Sequence, residues 1–210
     1  MRLKIISGGI AATVLAATAA AADPGFYYGV GLGYSMMESK ESDLPGADAS
    51  EEKAGLIGLT LGYRWENASI FYGAELDGDF SFGTDFENSM SGTPCSVSAS
   101  GPYWCSHDAT LRLRGVVGQA LPNGLEMFGS LGLAIVFGES AVESIPRDNV
   151  ASTGFTVGIG VQQPFARGGM GRLELIYDRA DNSNGPTLGP GNPVYDPTFE
   201  ALTLKATYLF

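Results

Sequence analysis

The chain has 210 residues, a length that suits one or two domains. Its 12 Lys+Arg stand against 23 Asp+Glu, and a net charge of −11 excludes the basic surface that non-specific nucleic-acid binding needs. Apolar residues at 44% exclude a disordered chain, and 30 glycines without a Gly-X-Y period exclude collagen and disfavour helix.

At the N-terminus, Arg2 and Lys4 precede an apolar, alanine-rich run from Ile5 to Ala19, and Ala20-Ala21-Ala22 fits a cleavage site before Asp23. This is the pattern of a secretory signal peptide rather than of a membrane span. The expected organisation is a signal peptide over 1–22 and one domain over 23–210, with no lipid-anchoring cysteine at the cut. After residue 22 no apolar run approaches the roughly 18 residues of a spanning helix.

From Phe26 the dominant period is two, the signature of a strand with two unlike faces. Eight such segments are predicted, over 26–36, 55–65, 69–82, 109–120, 125–138, 152–163, 170–179 and 198–210. One face is apolar throughout. It begins with Phe26, Tyr28, Val30, Leu32 and Tyr34 and ends with Leu202, Leu204, Ala206, Tyr208 and Phe210. The other face carries glycine, threonine and charge. In chain order its charged residues are Arg64, Glu75, Asp77, Asp79, Arg112, Arg114, Glu126, Arg172, Glu174, Asp178 and Lys205. Each segment is near the roughly 9–11 residues that a tilted strand needs to cross a bilayer.

The predicted connections alternate in length. Short ones fall at 66–68, 121–124 and 164–169, and long ones at 37–54, 83–108, 139–151 and 180–197. That alternation suits an outer-membrane barrel, whose short turns face the periplasm and whose long loops face outward. Both termini are then periplasmic. Aromatic residues gather at the two ends of the apolar face, with Tyr28, Tyr63, Trp65, Tyr72, Tyr208 and Phe210 at one end and Phe80, Phe82, Phe137, Phe155 and Tyr177 at the other. This is the girdle of a lipid-facing surface. The fold predicted is all-β, an eight-stranded antiparallel transmembrane β-barrel.

The start of the barrel, GFYYGVGLGYS at 25–35, and its end, LTLKATYLF at 202–210, resemble the small outer-membrane β-barrel family of Gram-negative bacteria, which includes OmpA-, OmpX- and opacity-type proteins. The resemblance covers about 23–210. It implies a Gram-negative outer-membrane location, contact with outer-membrane lipid and lipopolysaccharide, and a last strand read by the barrel-insertion machinery through Leu204, Tyr208 and Phe210. No peptidoglycan-binding domain like that of full-length OmpA-type proteins is expected after the barrel, and so no cell-wall tethering.

The inward charges are nearly balanced, six acids against five bases. Eight strands enclose a lumen only wide enough for side chains, and isolated buried ions are too costly. A salt-bridge network is therefore expected, with Glu75, Asp77 and Asp79 of the third strand opposite Arg112 and Arg114 of the fourth. It would plug and stiffen the barrel; the alternative is a gate or a cation-lined pore. Inward glycines such as Gly58, Gly62 and Gly158 would make room for the larger side chains.

Cys95 and Cys105 lie in the second long connection, and two cysteines in an oxidising compartment usually pair. One histidine assembles no zinc set. His107 lies between Ser106 and Asp108, but neighbouring strand residues face opposite ways, which a catalytic triad cannot use. The first long connection is acidic, with Glu38, Glu41, Asp43, Asp48, Glu51 and Glu52 against Lys40 and Lys53. The expectation is a monomeric, non-enzymatic membrane protein without metal or cofactor. Its expected role is structural, or that of a small low-conductance pore. The alternative is a surface-interaction protein whose loops bind an extracellular ligand.

Overall fold

The computed structural model describes residues 25–41, 49–83, 85–88, 103–141, 148–166, 168–181 and 197–210. The expected signal peptide over 1–22, Cys95, Asp43 and Asp48 lie outside the described residues. The strands are β1 (Gly25–Glu41), β2 (Ser50–Asn67), β3 (Ile70–Phe82), the two-residue β4 (Glu87–Asn88), β5 (Tyr103–Ala120), β6 (Glu126–Ala141), β7 (Asp148–Pro164), β8 (Met170–Asp181) and β9 (Pro197–Leu209). All pairings are antiparallel, and β1 pairs with both β2 and β9, which closes the barrel with eight wall strands. β4 is not a wall strand; it adds two residues of pairing to the start of β2.

Three tight turns define one end of the barrel. Between β2 and β3 only Ala68 and Ser69 are unpaired, and Ala68 takes φ 56°. Gly168 and Gly169, at φ 89° and 77°, let the chain reverse between β7 and β8. In outer-membrane barrels such short turns lie on the periplasmic side.

At the other end the strands run on past their predicted limits. β2 and β5 reach 18 residues and β1 and β7 reach 17, against the roughly 9–11 that cross a bilayer. Glu38, Glu51, Glu52 and Lys53, expected in a connection, are therefore strand residues. The physical reason is that the period of two continues while the chemistry changes. Ser50, Glu52 and Ala54 still point inward and are buried, whereas Glu51 and Lys53 point outward into solvent. An outward lysine does not read as membrane strand, yet it pairs its backbone as well as a leucine does.

The outer wall is an apolar belt in which Leu32, Leu113, Leu131 and Leu133 are largely exposed. Aromatic clusters edge it at the turn end. Trp65 lies between Tyr63 and Tyr72, and Tyr208 lies between Phe165 and Phe210. Phe155 and Tyr177 mark the opposite edge.

Lipid on this wall makes a depth-dependent prediction. Leu113→Arg, at a position 60% exposed near mid-belt, should destabilise the barrel in lipid vesicles by about 2–4 kcal/mol. Met36→Arg, near the edge, should cost about 0–1 kcal/mol. Equal tolerance of both in urea titrations would argue for water on the wall.

Candidate functional site

The lumen holds a continuous network of ions. Strand register begins it, by placing Glu75 opposite Arg114 and Asp77 opposite Arg112 on neighbouring β3 and β5. Arg112 donates to Asp77 at 2.9 Å and also to Asp79. Arg114 donates to Glu75 at 3.0 Å.

Both arginines then reach across the barrel to β8. Arg112 forks onto Asp178 at 2.9 and 2.7 Å, and Arg114 forks onto Glu174 at 2.8 and 2.9 Å. Such two-pronged pairing is the strongest geometry open to a guanidinium and a carboxylate. From β9, the Lys205 ammonium donates to Asp77 at 2.8 Å and to Asp79 at 2.6 Å.

The network continues toward the turn end. Arg172 donates to Glu75 at 2.6 Å and to the Gln162 carbonyl at 2.8 Å. The Gln162 amide donates to Glu126 at 2.7 Å, and Arg64 forks onto Glu126 with both contacts at 2.8 Å. The two sets of bonds meet where Arg114 comes within 3.9 Å of Asp77, and all eleven inward charges named from the sequence are thereby linked. Tyr27 donates to Glu75, Thr60 to Asp77 and Ser130 to Glu174, filling further lone pairs. Tyr27, Thr60 and Gln162 escaped the sequence reading of the network, although each shares the inward parity of its partners.

The middle of the network is removed from water, with Asp77 at 0% and Arg112 and Lys205 at 1% exposure. Glycine makes the crossing geometry fit. A β-carbon at Gly58 would collide with Asp79 and Lys205, and one at Gly62 would collide with the Tyr27 ring.

Two apolar clusters enclose the ions, and the sequence reading missed both. Near the turns, Phe71, Val116 and Phe128 pack together inside the wall. The Arg64 guanidinium lies 3.9 Å from the Phe71 ring centre, and that of Arg172 lies 4.7 Å from Phe128, so cation–π contact joins the seal to the network. Near the long connections, Met37, Phe86, Trp104, Val136 and Phe199 form the second seal. Their signal in the sequence is an apolar residue on the polar parity near a strand end.

His107 belongs to the second seal. Its ring stacks on Phe199 at 5.3 Å, and Nε2 pairs with the Thr110 hydroxyl at 2.7 Å. The Ser106 hydroxyl donates to Asp108 instead, at 3.2 Å, so these three neighbours form no Ser-His-Asp relay. Cys105 is fully buried and is not a free thiol.

A narrow barrel with an apolar belt outside and paired ions inside defines a small transmembrane β-barrel protein. A family model described as outer membrane protein beta-barrel domain matches residues 8–208, and the chain belongs to that family. Among solved structures it is similar to the attachment invasion locus protein Ail of Yersinia pestis. The identity is 15% and the TM-score 0.45, over 90% of this chain and 100% of that one. It is also similar to the N-terminal β-barrel domain of Pseudomonas aeruginosa OprF, with 13% identity and TM-score 0.40 over 86% and 97% of the two chains. Neisserial surface protein A gives 10% identity and TM-score 0.43 over 86% and 95%. No curated protein sequence matches the chain.

Removing one partner from a dry network strands the others. Arg112→Met should cost about 3–5 kcal/mol, because Asp178 and Asp79 lose their guanidinium. Glu66→Gln, which removes only the exposed partner of Arg64, should cost less than about 1 kcal/mol. Urea midpoints of the two refolded variants check the contrast.

Proposed function

We propose that this protein is a structural component of the Gram-negative outer membrane, with a barrel that does not conduct solutes in its resting form. The observation that carries this reading is the linked ion network capped by an apolar cluster at each end. A conducting lumen would need a continuous wet path past Arg112, Lys205 and both seals. Paired and buried as these groups are, each break in the network exposes an ion that has lost its partner.

In this reading the chain is exported by a cleaved signal peptide over 1–22. The barrel-insertion machinery takes up β9 through Leu204, Tyr208 and Phe210. The barrel then sits as a non-enzymatic monomer among phospholipid and lipopolysaccharide. Cys95 and Cys105 form a disulfide that ties the second long connection to the buried start of β5.

One observation favours a second role. β1, β2, β5 and β7 extend beyond the apolar belt and present outward charges such as Glu51, Lys53 and Asp108. They carry the wall past the membrane surface, which suits a platform for an extracellular ligand.

Conductance across a planar bilayer tests the closed lumen. The refolded protein, shown to be folded by heat-modifiable gel mobility, should give no discrete openings, and uniform stable openings would replace this reading with a pore. Peptide mapping without reductant should recover a linked pair containing Cys95 and Cys105, and its reduction should lower stability by up to about 3 kcal/mol. Replacing the connections with short turns should leave the envelope intact if the barrel itself is the functional part.

A further inference from the structure

The outer wall is not evenly filled. One outward row crosses five strands through the register pairs Ile57↔Leu32, Leu32↔Ala206, Ala206↔Leu173 and Leu173↔Val161. Four of its residues carry branched apolar side chains, and the fifth, Ala206, ends at a β-carbon. Ala206 is exposed and has a leucine beside it on each neighbouring strand, so the wall is dented over β9. The dent belongs to an apolar groove of about 690 Å³, lined by this row together with Val30 and Tyr208. That size lies within the roughly 300–1,000 Å³ of clefts that hold small molecules.

One step nearer the turns, Val30, Tyr208 and Gly171 stand side by side. Tyr208 stacks on Phe165 at 5.9 Å. Phe165 takes the space over Gly171, where a β-carbon would collide with its ring. This aromatic pair ends the groove on the side of the short turns, at the level where such rings meet lipid headgroups. Gln163, opposite Gly171 and exposed, sets an uncharged amide at the same end.

The groove is continuous with the lipid-facing belt of an outer-membrane barrel, so its occupant comes from the lipid that covers the belt. Lipid tails are as apolar as leucine, and leaving one for the other gains nothing, so affinity here is a matter of packing. A tail over flat leucines is touched from one side. A tail in the groove meets Ala206 beneath it and Leu32 and Leu173 on either side, and dispersion contacts, small singly, add along its length. The aromatic pair and the amide put the polar end of the occupant on the turn side. That is the phospholipid leaflet, whereas lipopolysaccharide lies in the opposite one.

We propose that this groove is a binding site for one acyl chain of a phospholipid of the periplasmic leaflet. The tail lies over Ala206 between Leu32 and Leu173, and its ester end lies beside Gln163, Phe165 and Tyr208. The site rests on the proposed setting of the barrel among phospholipid and lipopolysaccharide, so folding is measured apart from binding.

The full chain is refolded in vesicles of phosphatidylethanolamine and phosphatidylglycerol with added lipopolysaccharide, and folding is read by heat-modifiable gel mobility. After extraction into mild detergent, native mass spectrometry should find a folded monomer that retains one phospholipid. Ala206→Phe, which fills the dent, should lower the retained fraction by about tenfold or more, a loss of affinity that a single well-packed contact region can supply. Ala74→Phe, equally outward and exposed but on β3, should leave it unchanged. A folded parent that retains no phospholipid, or lipopolysaccharide in its place, overturns the site while leaving the membrane setting intact. Undiminished retention in Ala206→Phe, or an equal loss in Ala74→Phe, also overturns it. So does a dimer that Ala206→Phe abolishes, which would make a second copy of the chain the occupant. If Ala206→Phe does not fold, Ala206→Leu is held to the same outcomes. A parent that fails to fold into vesicles overturns the membrane setting and the site with it.

Discussion

The structure depends on one constraint: a barrel whose outer wall is apolar must carry its polarity inside, in a lumen too narrow for bulk water to dilute it. Every inward ion then needs a partner within hydrogen-bond reach. Arg112 and Arg114 meet that demand by serving two walls at once, taking carboxylates from β3 beside them and from β8 across the lumen. Lys205 draws β9 into the same set. Opposite walls are therefore held by charge at the centre, where a soluble barrel would use leucine. Gly58 follows from this arrangement, since Lys205 and Asp79 meet where its side chain would stand.

The apolar seals keep these charges dry. Ions paired at 2.6–2.9 Å are strong only while water is kept from their lone pairs. Phe71, Val116 and Phe128 close the periplasmic side, and Phe86, Trp104 and Phe199 close the other. The two closures differ in origin. The first is built wholly from wall strands. The second borrows Phe86, which lies outside the wall strands and just before the two-residue β4.

Much of this was legible because period-two patterning converts residue number directly into inside or outside. Parity alone placed Glu75, Arg112, Glu174 and Lys205 on one face, and the girdle aromatics told which face met lipid. Parity does not carry distance, however. It gave Arg112 its neighbour Asp77 but not Asp178, because β5 and β8 meet only once the barrel is closed. It also stopped too early on β1, β2 and β5, where outward leucine gives way to outward lysine and glutamate while the ladder continues. The seals were missed for a related reason. Phe71 and Trp104 break the polar pattern, and a search for charge passes over them.

Lys205 has a consequence for how the molecule comes into being. It lies on the last strand, yet its partners Asp77 and Asp79 lie on β3, 128 and 126 residues earlier in the chain. Until that strand arrives, these two carboxylates face each other with one cation fewer between them. Closing the wall between β1 and β9 and neutralising the core are thus a single event, since both wait for the last strand. Topology of this kind folds slowly and gives little reward to partial structures. A half-built barrel has neither a complete wall nor a balanced interior, so the protein assembles as a whole or stays open.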